Sequence, residues 1–235
     1  MSVKSAVRVL EVLEFFDTVQ REASLSEIAI ELGYPLSSAS VLLQSLVKRG
    51  YLSQGDTRLY RLTPRVKLLG AWLSPMLDAN GPATTIMDWV GAQCQQLVVL
   101  AAPEHMQVRY IRIVQGTSTV RMHVTPGSVR PLPTSGLGRL FMSKMSDDEV
   151  AQVVKSHNAG LVNEIPPLNI SVLRRELQAI RTSGCSVSFD KVSPGAGVVA
   201  VLMPTPEYET PLAIGIGAPS ALIRANASNF EALLK

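Results

Sequence analysis

A chain of 235 residues, 46% hydrophobic and 17% charged, suits one large domain or two small ones and is too apolar for global disorder. Charges interrupt the apolar residues of the opening MSVKSAVRVLEVLEFF, so it lacks a signal-peptide core. No run approaches the roughly 18 apolar residues of a membrane span, and a cytoplasmic protein with no membrane partner is expected. Cys94 and Cys185 lie far apart without metal-ligand spacing. They read as small buried residues, with a redox role as the alternative.

The net charge of +3 is unevenly spread. Residues 1–34 carry three basic and six acidic side chains, whereas residues 35–67 carry six basic ones against Asp56 alone, and the rest nearly cancels. Such a segment either meets phosphates or is simply a solvated charged surface.

Val3, Val7, Leu10, Leu13 and Phe16, with Ala6 and Val9 beside them, predict a first amphipathic helix with those residues inward. Ser24 and Glu27 have capping-box spacing and open a second helix, in which Ile28, Ala29 and Leu32 face inward and which Gly33 ends. After Tyr34-Pro35 a third helix is expected from about Leu36 to Arg49, burying Ala39, Leu42, Leu43, Leu46 and Val47. Tyr51–Gln54 and Arg58–Leu62 read as two strands around a Gly-Asp-Thr turn. Three helices and a hairpin make a winged helix-turn-helix, whose third helix can enter a major groove. Its exposed side offers Ser37, Ser38, Ser40 and Gln44 for base edges or phosphates, while Lys48, Arg58 and Arg61 are placed to hold the DNA backbone.

SLSEIAIELGYPLSSASVLLQSLVKRGYL followed by YRLTPRVKLLG resembles the DNA-binding domain of the IclR family of bacterial regulators. Ser37 and Ser38 stand where that family has a Ser-Thr pair, and Leu43 and Leu46 match its Leu-x-x-Leu. Tyr60, Leu62, Leu69 and Gly70 match the closing elements. The chain departs at Val41, where the family often has Arg, and at Leu36, where the helix start is often basic. Recognition is therefore expected to lean on hydroxyls, Gln44 and methyl contacts, leaving phosphates mainly to the wing.

Thr63-Pro64 opens a linker helix with Val66, Leu69, Leu73 and Met76 at helical spacing and Trp72 adjacent; Pro75 kinks or ends it, and Asn80-Gly-Pro82 closes it. Its apolar surplus points to a partner or to packing against its own domains. The resemblance implies a homodimer, or a dimer of dimers, through this helix and the first one, with Leu69, Trp72 and Leu73 between subunits and a palindromic double-stranded operator.

From residue 81 onward, helices are expected over 83–97, 134–145, 147–157 and 170–182. Strands are expected over 98–102 and 108–114, forming a hairpin around Pro103-Glu104, and over 120–124, 186–189, 198–203 and 212–218. The apolar run Val198–Met203 predicts a strand covered on both faces. Together these give an α+β domain around a mostly antiparallel sheet. The histidines at 105, 123 and 157 are scattered, the motifs of Ser hydrolases, zinc proteases, CxxC redox sites and Walker NTPases are missing, and Gly136-Leu-Gly138 and Gly195-Ala-Gly197 are only fragments of a dinucleotide site. No catalytic residue, metal or cofactor is therefore expected.

Gly215 and Gly217 alternate with Ile214 and Ile216, so something approaches one strand face closely, either a helix or a small molecule. The resemblance, carried by PLPTSGLGRLF with Pro133 in place of His and Arg139 in place of Lys, implies a GAF-like effector-binding domain. It implies a cavity lined by Met122, Gly136, Leu137, Ser188, Val198, Gly215 and Gly217, roomier and less polar than those reading small carboxylates. Ser188 and the amides of Gly136 and Leu137 would anchor the ligand, an aromatic acid or related metabolite. The chain stops at Leu233-Leu-Lys235, ahead of the family's usual final helix, as a short form or an incomplete chain would.

The expected architecture is a winged helix-turn-helix over 1–62, a linker helix over 63–80 and the effector domain over 81–235. The expected function is transcriptional regulation by a small-molecule effector. The alternatives are a winged-helix protein-interaction module and a DNA-tethered enzyme.

Overall fold

Val12, Phe15 and Phe16 recur at three- and four-residue intervals and place one helix face in a core shared with Ile28, Leu43, Leu46, Leu52 and Tyr60. The computed structural model describes residues 3–70, 81–125, 127–161, 166–205 and 210–235. The chain divides into two units, Met1–Ala79 and Asn80–Lys235.

The first unit runs α1 (Lys4–Val19), α2 (Leu25–Glu31), α3 (Leu36–Lys48), β1 (Leu52–Gln54), β2 (Tyr60–Leu62) and α4 (Pro64–Gly70). The buried face of α1 differs from the expected one: Val3, Val7 and Leu10 are exposed, and Val12 and Phe15 take the core positions. The first turns of α1 face an open groove beside α3 rather than the core, which takes its residues from Val12 onward. Ser24 accepts from the Glu27 amide as expected, but the Glu27 carboxylate turns to Arg21 instead of closing a capping box. Gly33 follows α2 with φ +66°, the left-handed conformation a side chain would resist. In the hairpin Leu52 pairs with Leu62, and Ala23 adds a bridge to Tyr60 through two backbone bonds of 2.8 and 3.1 Å. The strands are shorter than expected because residues 55–59 form the turn. The Thr63 hydroxyl accepts from the Arg65 amide at 3.3 Å and caps α4. Leu69 is exposed on α4, while Trp72, Leu73, Met76 and the expected break at Pro75 lie outside the described residues.

The second unit runs α5 (Pro82–Cys94), β3 (Leu97–Glu104), β4 (Gln107–Val114), β5 (Val129–Pro131), α6 (Gly136–Met142), α7 (Asp147–Ala159), α8 (Ile170–Ser183), β6 (Cys185–Phe189), β7 (Ala196–Leu202), β8 (Ala213–Pro219) and α9 (Ser220–Leu234). The six strands form one antiparallel sheet in the order β5-β4-β3-β8-β7-β6. Leu97, Val99 and Ala101 alternate onto one face and join a core with Leu137, Leu140, Val150, Val154, Leu173 and Leu177 of α6, α7 and α8. Helices α5 and α9 pack on the sheet as well, so β7 is covered by α6 and α9 as its apolar run predicts.

Three expectations are corrected here. The β3–β4 turn falls at His105-Met106, with His105 at φ +52°, rather than at Pro103-Glu104, and both of those residues extend the strand. Residues 120–124 form no strand; the strand beside β4 is Val129–Pro131, paired with Gln107–Arg109, and the Val124 carbonyl accepts from Gln115 Nε2 at 2.6 Å rather than from a neighbouring strand. Residues 220–234, for which no element was expected, form the 15-residue helix α9, burying Ile223 and Phe230.

Candidate effector cavity and DNA-facing surface

Sheet register sets the cavity floor. Ser188 pairs with Val198, Val198 with Gly217 and Gly217 with Leu97, so these four form one row across β6, β7, β8 and β3. All four line a cavity of about 70 Å³, together with Met122, Val124, Ser135, Gly136 and Leu137. A Cβ on Gly217 would stand 3.1 Å from Leu97 Cδ2, the movable end of that side chain, and project over the floor, so the glycine keeps the floor flat. Gly136 is needed for close approach, because its Cβ would fall 2.6 Å from Val198 Cγ1. Gly138 is pressed against the Leu132 backbone, where a Cβ would stand 2.6 Å from the carbonyl carbon. The Gly136-Leu-Gly138 fragment therefore serves close approach of α6 to its surroundings.

Six of the seven candidate effector residues come together around this cavity: Met122, Gly136, Leu137, Ser188, Val198 and Gly217. Gly215 is absent from its lining. It lies in the next row with Val99, Ala200 and Ser186, where the Ser186 hydroxyl donates to Gly136 O at 2.8 Å and ties that row under α6. A Cβ there would meet Ala200 Cβ and Val198 Cγ2, both at 3.2 Å. Both glycines have close neighbours, but Gly215 is wedged between Ala200 and Val198, whereas Gly217 meets only the movable end of Leu97 and borders the cavity.

Sequence reasoning missed Tyr110, Arg130 and Lys191, which also line the cavity. It also gave no partner to Arg139. That residue is 7% exposed, donates to Pro133 O at 3.1 Å and pairs with Glu176 of α8. Burial lowers its pKa below the usual arginine value. Cys185 is buried, and desolvation, with Glu231 adding, pushes its thiol up to about 11, so it stays protonated and unreactive at neutral pH. Among the described residues no three His, Cys, Asp or Glu side chains are placed to share a metal ion, and no helix is long and apolar enough to cross a membrane.

On the first unit, Ser37, Ser38, Gln44 and Lys48 are exposed along α3, whereas Ser40 is only half-exposed on its flank. Val41 stands among them, 67% exposed. Ser45 shares the face, but its hydroxyl donates back to Val41 O at 2.8 Å. Lys4 and Arg8 of α1 share an open groove with Ser37, Ser38 and Val41, and Arg8 lies 4.9 Å over the Tyr34 ring. Counting charge over the acidic first 34 residues hid these two cations. Arg58 sits in the wing turn at φ +57°, and its side chain makes no bond among the described residues. Arg61 is on β2, bonded to Ser53 Oγ at 3.1 Å and paired with Glu22 at 3.4 Å.

The family described as IclR helix-turn-helix domain matches residues 5–56, and that described as bacterial transcriptional regulator IclR C-terminal matches residues 77–235. The chain is 22% identical to the HTH-type transcriptional regulator KipR of Bacillus subtilis, over 91% of this chain and 84% of that one. It is 25% identical to the acetate operon repressor of Salmonella typhimurium, over 94% of this chain and 82% of that one. These relatives are transcriptional regulators, not enzymes. The crystal structure of an IclR transcriptional regulator from Alicyclobacillus acidocaldarius superposes with a TM-score of 0.74 at 24% identity, covering 100% of this chain and 95% of that one. An IclR homologue from Microbacterium hydrocarbonoxydans, complexed with 4-hydroxybenzoate, superposes at 0.72 and 21% identity, covering 98% of each chain. With both of its units matched, this chain belongs to the IclR family of bacterial regulators, DNA-binding transcription factors modulated by small-molecule effectors.

Proposed function

We propose that the protein regulates transcription as a homodimer, or a dimer of dimers, on a palindromic operator, and that the effector is a small single-ring acid bound over the row Ser188, Val198, Gly217 and Leu97. The carrying observation is that cavity, with six of the seven expected lining residues around it. Its flat glycine position suits the face of a planar ring, and 4-hydroxybenzoate in the Microbacterium relative is a ligand of that kind. Exposed Val3, Val7 and Leu10 on α1 and Leu68 and Leu69 on α4 supply apolar surface for a second subunit, with Trp72 and Leu73 following in sequence. Ser37, Ser38, Ser40 and Gln44 read base edges. Lys48 and Arg58 hold phosphates, Arg61 does so more weakly because Glu22 already engages it, and Lys4 and Arg8 extend the phosphate contacts beside α3.

The effector acts by linkage, binding the DNA-competent and DNA-incompetent states with different affinity. The test is fluorescence anisotropy of the full chain on DNA from upstream of its own coding sequence, with and without 4-hydroxybenzoate. A ligand-dependent change in DNA affinity of about fivefold or more is expected, within the usual range of allosteric coupling. Salt-sensitive DNA binding that no aromatic acid alters would remove the assigned ligand class.

A further inference from the structure

The anchors expected from sequence, Ser188 and two backbone amides, are neutral, but the cavity lining is not. Arg130 and Lys191 belong to it, and no Asp or Glu does. Arg130 on β5 lies 5.4 Å over the Tyr110 ring and donates to Val129 O at 2.9 Å. Neither contact supplies a negative charge.

Lys191 follows Asp190, whose carboxylate is engaged elsewhere: it accepts from the Gly195 amide at 2.7 Å and from Ser220 Oγ at 2.8 Å, and stands 3.7 Å from Arg224. The carboxylate beside the Lys191 ammonium is Glu176, at 3.7 Å, and the other Glu176 oxygen is held by the buried Arg139. Two cations therefore share one carboxylate at the edge of the cavity. Desolvation, and then the Arg139 charge, lower the Lys191 pKa, as befits an ammonium short of counter-charge.

We infer that Lys191, with Arg130, is the specificity-determining pair of this cavity and selects effectors carrying a negative charge, the bound anion taking the place that Glu176 fills for Lys191 in the free protein. The inference rests on the effector reading given above and adds which side chains enforce the charge. Serine and amide donors accept a carboxylate or a neutral amide group alike. Arg130, with no acid against it among the described residues, and Lys191, which shares Glu176 with Arg139, favour the carboxylate.

The test pairs acids with their primary amides of nearly equal shape: benzoate with benzamide, phenylacetate with phenylacetamide, and propionate with propionamide. Each is titrated into the full chain by calorimetry and followed by thermal melting. In any pair that binds, the acid is expected to bind about tenfold tighter than the amide and to weaken as salt rises. Lys191→Gln should erase that preference and Lys191→Arg should retain it. The Lys191→Gln protein should melt within a few degrees of the unaltered protein, because the pair with Glu176 is 37% and 39% exposed on its two sides. Amides binding as tightly as acids would overturn the inference while leaving the effector site standing. So would an acid preference that survives both Lys191→Gln and Arg130→Gln. If no member of any pair binds, the effector reading itself falls, and the inference with it.

Discussion

In the DNA-binding unit the cations of α3 and the wing stand on the surface: Arg58 and Lys48 make no side-chain bond among the described residues, and Arg61 is met by Ser53 and the exposed Glu22. In the effector unit they are drawn inward, where Arg139 is 7% exposed and competes with Lys191 for Glu176. Solvent and salt screen the first group, which leaves it ready for a polyanion and makes its contribution depend on ionic strength. Of the second group only Arg139 is buried and screened far less, so its partner is tied to the stability of the domain. One kind of side chain thus serves affinity in one unit and architecture in the other.

The largest effect expected from that contrast is on stability. Glu176→Gln leaves the buried Arg139 guanidinium without a counter-charge, facing only neutral acceptors, Pro133 O and the new amide oxygen, and should destabilise the protein by about 2 kcal/mol. Arg58→Ala should change stability by less than about 0.5 kcal/mol. Urea denaturation of both variants checks this, and a loss below about 1 kcal/mol for Glu176→Gln would break the contrast.

The next effect separates the two glycines within the effector unit. Gly215→Val must displace Ala200 and Val198 and should lose about 2 kcal/mol. Gly217→Ala presses only on the end of Leu97 and should lose less than about 1 kcal/mol while weakening ligand binding. Melts beside ligand titrations distinguish the two; equal destabilisation by both would mean that Gly217 is packed rather than open.

The smallest effect separates the two wing arginines. Arg58→Ala should lower the slope of log affinity against log salt by about 0.9, one phosphate contact. Arg61→Ala should lower it by less, because Glu22 must be released before Arg61 can reach DNA. Anisotropy titrations across a range of KCl measure both, and a larger drop for Arg61→Ala would reverse the assignment.

What the sequence made legible follows local rules. The Ser24 cap, the Gly33 stop, the Ile214/Gly215 alternation and the apolar run of β7 each state a periodicity or a backbone demand that one segment carries alone. What escaped depends on distant chain. The exposed Val3, Val7 and Leu10 have faultless helical spacing, and which face of the helix meets the core is decided by the elements packed against Val12, Phe15 and Phe16. Val120–Val124 alternates like a strand but joins no sheet, its Val124 carbonyl being held by the Gln115 side chain instead. Ser188, Gly136 and Leu137 were expected in the lining from a motif, whereas Arg130 and Lys191 reach the cavity from a short edge strand and a loop with no pattern of their own.

Arg58 holds a left-handed φ of +57°, a conformation that disfavours a side chain by about 1 kcal/mol relative to glycine. The turn would be better served, as a turn, by Arg58→Gly, which relaxes the backbone and deletes the charge in one step. Laboratory evolution of this chain for heat tolerance alone would therefore drift toward that substitution and lose grip on DNA as it did so. Screening for melting temperature and for operator occupancy would enrich opposite alleles at this one codon.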